Sequence, residues 1–167
     1  MRDAERMMLS LVARPAGEPS SVEKAEVALC LRYSVEAPKG TSMLEWLNSK
    51  AQEDRMLGLL WIYVLQAKED ETLEQFVRRL PQVADGNLSG GREPQIFGTI
   101  AILSELYAQS TSGESRFVDW VHDLLQRGRL GEDLTEAEEQ ALVYLRFLQT
   151  RKWGETLLNW GKRQRSR

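Results

Sequence analysis

The sequence predicts an all-α fold, a single globular bundle of about seven or eight helices, and three observations lead there. Apolar residues recur at i, i+3, i+4 and i+7 along most of the chain, the period of one helix face. The alternation that marks a half-buried strand is nearly absent. Ser20 with Glu23, Ser42 with Glu45 and Thr135 with Glu138 stand at capping-box spacing ahead of apolar runs. In such a box the hydroxyl accepts from the third amide while the glutamate reaches back to the cap. A chain of 167 residues, 42% hydrophobic and 28% charged, can bury roughly 70% of its unfolded surface around one core.

The elements follow in order. A first helix is expected over residues 2–13, stopped by Pro15, with PAGEP as a short linker. The Ser20 cap opens a second over about 22–35, closed by APKG. Ser42 starts MLEWLNSK, which leads into an apolar helix over 54–68. Gly58 inside it costs about 1 kcal/mol relative to Ala and so marks a close neighbour. In TLEQFVRRLP, Leu73, Phe76, Val77 and Leu80 share one face before Pro81 ends the helix. Residues 81–95, with Asp85-Gly86 and Gly90-Gly91, form the one long loop.

Pro94 suits the first turn of a helix that aligns Ile96, Ile100, Leu103 and Tyr107, and AQSTSGES breaks it. Phe117, Val121 and Leu124 make the next core face, with Arg127 in the last turn and Gly128 as a left-handed cap. Thr135 opens a helix that buries Ala141, Leu145 and Leu148 and runs to about residue 152. Gly154 is expected to kink the chain before Leu157, Leu158 and Trp160 dock the final turns. Residues 1–40, polar and broken by serine and proline, are expected to form an N-terminal helical arm. Residues 41–167 then form the bundle, with a basic C-terminal segment. No period of 33–45 residues repeats, which disfavours a solenoid.

Composition narrows the function classes. Cys30 is the only cysteine, so an intrachain disulfide framework is excluded and a reducing cytoplasm is the expected compartment. Residues 1–19 lack a signal-peptide apolar region. The longest apolar stretch, residues 56–67, is twelve residues; crossing a bilayer needs about 20, and no membrane partner is expected.

His122 is the only histidine and sits beside Val121, at the expected core boundary. With Asp119 at i, i+3 it would give half of a carboxylate-bridged metal site, which needs a second such pair. Cys30, among Ala28, Leu29 and Leu31, reads as a buried small hydrophobe. GNLSGGRE lacks the Lys-Ser/Thr ending of a phosphate loop. The acids Glu132, Asp133, Glu136, Glu138 and Glu139 surround a helix start, whose exposed amides they stabilise. No acid, base and nucleophile set can be assembled, so neither an enzyme nor a metal or cofactor site is expected.

Charge is segregated. The chain carries −3, yet its last seventeen residues hold Arg151, Lys152, Lys162, Arg163, Arg165 and Arg167 against Glu155 alone. Trp153 and Trp160 flank those cations, whereas Trp46, Trp61 and Trp120 lie on core-facing runs. Aromatic faces beside cations are what single-stranded nucleic acid binding uses, stacking contributing about 1–3 kcal/mol per base. The same rings could instead anchor the last helix, with the cations complementing its dipole. Arg78 and Arg79 could extend such a patch from the polar face of their helix.

Four segments, FVRRLPQVADGNL, FGTIAILSELY, FVDWVHDLL and EEQALVYLRFLQTRKW, follow one another in an order that resembles the small helical subunit of type III CRISPR effector complexes. The resemblance spans residues 60–160. It implies a non-catalytic scaffold that stacks on copies of itself and holds nucleic acid in place. The expected function is therefore a non-catalytic helical subunit of a larger ribonucleoprotein assembly. Its nucleic-acid contacts would be Arg151, Lys152, Trp153, Trp160, Lys162, Arg163, Arg165, Arg167, Arg78 and Arg79. The alternative is a protein-binding adaptor or chaperone with an apolar, helix-accepting groove, which expects Trp46 or Trp120 exposed in an apolar patch.

Overall fold

A computed structural model describes residues 3–13, 15–80, 93–110 and 115–166, and among them there are nine helices and no strand. They are α1 (Asp3–Val12), α2 (Ser21–Glu36), α3 (Met43–Lys50), α4 (Arg55–Gln66), α5 (Leu73–Arg78), α6 (Gln95–Ser110), α7 (Phe117–Arg129), α8 (Glu136–Thr150) and α9 (Leu157–Arg165). Most of the long loop expected over 81–95, and part of AQSTSGES, lie outside the described residues.

The capping signals act as their chemistry dictates. Ser20 Oγ accepts from the Glu23 amide at 3.2 Å while Glu23 Oε1 accepts from the Ser20 amide at 3.1 Å. Thr135 and Glu138 form the same reciprocal pair. Thr72 with Gln75 makes a third box, beyond those expected from the sequence. Ser42 supplies only the forward half, to the Glu45 amide, and Asp54 proves to be the cap of α4, accepting from the Leu57 amide.

The N-terminal residues do not stand apart. Met8, Leu11 and Val12 of α1 are buried with the main core, and α2 packs against α1, α4 and α6. The polar composition of α2 suggested an arm because charge was equated with exposure. Here Glu23 and Glu26 are 7% and 1% exposed and hydrogen-bonded, so α2 is an interior helix whose polar positions have partners. Tyr33 on α2 meets Trp46 and Phe117 edge-on, and Tyr107 of α6 meets Phe117 the same way, closing an aromatic cluster among α2, α3, α6 and α7.

Several local expectations change. Gly128 lies inside α7, where Leu142 packs against its open Cβ position, and the left-handed residue is Gly131 at φ +72°. Gly154, at φ +78°, sits in a turn that ends α8 at Thr150 rather than in a kinked helix. Phe76 is buried, but Val77 is 43% exposed, because α5 stops at Arg78 and its short face covers little. α4 is apolar on all sides, yet only Leu57, Tyr63 and Val64 are buried. Ile62 and Leu65 therefore face outward at 44% and 39% exposure. A Cβ at Gly58 would make only an ordinary contact with Ala51, at 3.6 Å, so no neighbour approaches closely enough to require the glycine. No helix of the described residues is long and apolar enough to cross a membrane.

Candidate functional site

Four of the eight cations expected to meet nucleic acid, Arg78, Arg79, Arg151 and Arg163, are paired with the protein's own carboxylates. Arg151 is 4% exposed; its Nη2 donates to Glu23 Oε2 at 3.3 Å and to the Glu155 carbonyl at 3.1 Å. Its guanidinium also lies over Phe147 and Trp153, at 5.5 and 5.9 Å from the ring centroids. Arg163 forks onto Glu155 with two 2.8 Å bonds and caps the Thr150 carbonyl at 2.9 Å. Arg79 forks onto Glu71 in the same way and reaches the Gln66 carbonyl, while Arg78 pairs with Glu74 at the surface.

The two indoles are anchors. Trp160 is 8% exposed, lies edge-on to Phe147 at 5.6 Å and donates to Thr150 Oγ1 at 2.8 Å. Trp153 is half-buried and donates to the Pro15 carbonyl at 2.9 Å. A base could stack on the Trp160 ring only after these contacts were broken. Lys152, Lys162 and Arg165 are exposed and make no ion pair among the described residues; Arg167 lies outside them. A charge count treats every cation as available, and only near neighbours such as Glu155 for Arg163 and Glu74, at i, i+4 to Arg78, warn otherwise. Glu23 is 128 positions from Arg151 and gave no such signal.

His122 is exposed rather than at the core boundary. Among the described residues no group of three His, Cys, Asp or Glu side chains could hold a metal ion. Cys30 is fully buried, and burial, with the nearby Glu26 charge, pushes its thiol well above the ordinary value. Of the acids around the start of α8, Glu138 binds Arg127 and its neighbours are exposed.

The exposed apolar surface is not where the tryptophans were expected to put it. Trp46 is 5% exposed, Trp61 is half-buried rather than in the core, and Trp120 is half-buried against Tyr107 and Phe117. An apolar groove of about 330 Å³ instead runs between α6, α8 and α9. Gly98, Thr99 and Ile102 line it from α6, Tyr144 from α8, and Leu157 and Leu158 from α9.

Local sequence explains its shape. A Cβ at Gly98 would meet nothing within 4 Å, so the missing side chain opens the groove on the α6 side. Thr156 caps α9, and the Leu157 amide donates to Gln95 Oε1 at 2.9 Å, which ties the start of α9 to the first turn of α6. Ile102 and Leu158 remain 44% and 65% exposed. Leu158, Lys162 and Arg165 then recur at i, i+4 and i+7 along the outer side of α9. Lys162 and Arg165, which make no ion pair among the described residues, thus share a side of α9 with the groove residue Leu158, and Glu93 also lines the groove. Comparison with family models, with curated proteins and with solved structures finds no match.

Proposed function

We propose that the protein is a non-catalytic helical subunit of a larger assembly that receives an acidic amphipathic helix of a protein partner in the groove between α6, α8 and α9. The observation that carries this is the pairing of exposed Ile102 and Leu158 with the cationic edge Lys162 and Arg165. Helix-in-groove recognition takes an apolar stripe at i, i+3, i+4 and i+7 into such a channel. Each fully buried apolar anchor contributes about 1.5–3 kcal/mol, and complementary charges along the edge set orientation and association rate.

The test is titration with a synthetic helical peptide carrying a leucine stripe edged by glutamates. Leu158→Glu and Ile102→Glu, both at exposed positions, are expected to weaken binding about tenfold or more, the loss of one anchor. Lys162→Glu with Arg165→Glu should weaken it and flatten its salt dependence. Unchanged affinity in Leu158→Glu refutes the groove.

A second reading keeps the segment for RNA or single-stranded DNA, as the CRISPR resemblance implies, and is favoured by the unpaired side chains of Lys152, Lys162 and Arg165. With three phosphate contacts the log–log salt slope for single strands would be about 2. A slope near zero, or affinity unchanged in Lys162→Glu/Arg165→Glu, removes it.

A further inference from the structure

The groove between α6, α8 and α9 has a polar position in its apolar wall. Gln95, Gly98, Thr99 and Ile102 recur at i, i+3, i+4 and i+7 and turn one face of α6 to it. Gln95 is engaged by the Leu157 amide and the Glu93 carbonyl, Gly98 has no side chain and Ile102 is apolar. The polar group left on this stripe is the Thr99 hydroxyl.

Thr99 is 5% exposed, and its hydroxyl makes no hydrogen bond among the described residues. Every other buried hydroxyl there makes one. Ser34 and Ser104 donate to the Leu31 and Ala101 carbonyls, and the Ser42 oxygen accepts from the Glu45 amide. Tyr33, Tyr63 and Tyr107 donate to the Thr41, Glu71 and Ser115 carbonyls. Nor is Thr99 sealed in. The shielded polar side-chain atoms without partners belong to Trp61 and Arg151, so Thr99 Oγ1 keeps access, and the space that Thr99 lines is the groove. Tyr144, which lines the groove from α8, likewise leaves its hydroxyl unbonded among the described residues.

A helix laid in the groove would exclude water from Thr99, so a partner side chain at that level must bond the hydroxyl or leave it buried without a partner. A charged group there would be stripped of water against Ile102, Leu157 and Leu158, which is costly. A carboxamide is uncharged and offers both a donor and an acceptor, matching hydroxyls that can play either role. The open space at Gly98 admits its stem. We infer, on the helix-in-groove reading above, that the partner helix carries one asparagine or glutamine within its apolar stripe and that Thr99 reads it. Such a residue fixes the register of the bound helix, as a single buried polar residue does in a coiled coil.

The test uses the full chain and the leucine-stripe peptide, with each stripe leucine replaced in turn by glutamine and by asparagine. At one position a carboxamide is expected to keep or raise affinity, while at the others it weakens binding about tenfold or more, as a lost anchor does. Thr99→Val should weaken the favoured carboxamide peptide about tenfold, the scale of a hydrogen bond whose other member is left buried. It should leave the all-leucine peptide bound as tightly or more tightly, and Thr99→Ser should retain the preference. Because the lost hydroxyl has no internal partner, the urea midpoint of Thr99→Val is expected to hold, which separates binding from folding. Equal weakening at every stripe position, or a preference that survives Thr99→Val, overturns the inference and leaves the groove standing. If no peptide of the set binds, the groove falls and the carboxamide contact with it.

Discussion

Glu23 Oε2 accepts from Arg151 Nη2 at 3.3 Å and from the Gly154 amide at 2.7 Å, joining α2 to the α8–α9 turn across 128 positions of sequence. Burial pushes the Glu23 carboxyl up, but the Ser20 and Gly154 amides and the Arg151 charge outweigh it and hold the group below its ordinary value. Removing one member leaves the other buried and uncompensated. Glu23→Gln is expected to destabilise the fold by about 3–5 kcal/mol in urea denaturation. The double variant Glu23→Gln/Arg151→Met should recover most of that loss; a double variant as unstable as the single one contradicts the pairing.

Acid should weaken the protein through three carboxylates. Hydrogen bonds from Arg79, Arg127 and Arg163 hold Glu71, Glu138 and Glu155 below their ordinary value of 4.5. Folded values lower than unfolded ones contribute stability that is fully present above 4.5 and is lost as pH falls through the folded values. The urea midpoint should therefore hold between neutrality and about pH 5 and drop below it. A midpoint that stays level into the acid range shows these pairs add nothing, as many exposed pairs do.

Two helix-interior glycines should respond oppositely to alanine. At Gly58 a Cβ would lie 3.6 Å from Ala51 Cβ, an ordinary contact, so Gly58→Ala should raise stability by up to about 1 kcal/mol. At Gly128 it would meet Leu142 Cδ1 at 2.7 Å and Cδ2 at 3.2 Å. Overpacking costs about 1–3 kcal/mol, enough to cancel or reverse the propensity gain. Equal thermal shifts for the two variants would refute the packing of α7 on α8.

Trp61 keeps its indole N–H shielded with no partner. Such a group costs about 1–3 kcal/mol, which offsets the area that phenylalanine would give up at this half-buried site. Trp61→Phe is expected to leave the urea midpoint unchanged or raise it, whereas Trp46→Phe, at a buried ring, should lower it. A marked loss in Trp61→Phe means the indole is bonded in solution.

Helix existence was legible wherever a cap preceded a periodic run, because both signals are local: Ser20, Thr135 and the 3.6-residue stripes act within one or two turns. The interior position of α2 is not legible in the sequence, because nothing within α2 says that Glu23 will meet Arg151 or that Glu26 will meet the start of α6. Ten nucleic-acid contacts are expected from sequence because net charge adds up ions without their partners. The groove was anticipated as a kind of surface but assigned to Trp46 or Trp120, since large rings advertise themselves in a sequence and the absent side chain of Gly98 does not.

The all-α class, several helix starts and the burial of the main apolar stripes follow from residues lying within a few turns of one another. Only folding sorts the cations into Arg79, Arg151 and Arg163, held in ion pairs, and Lys152, Lys162 and Arg165, which make none among the described residues, and only folding leaves Ile102 and Leu158 uncovered. The physical reason is range: periodicity and capping are set along the chain, whereas ion pairing and groove shape depend on which distant segments the fold brings within hydrogen-bond reach.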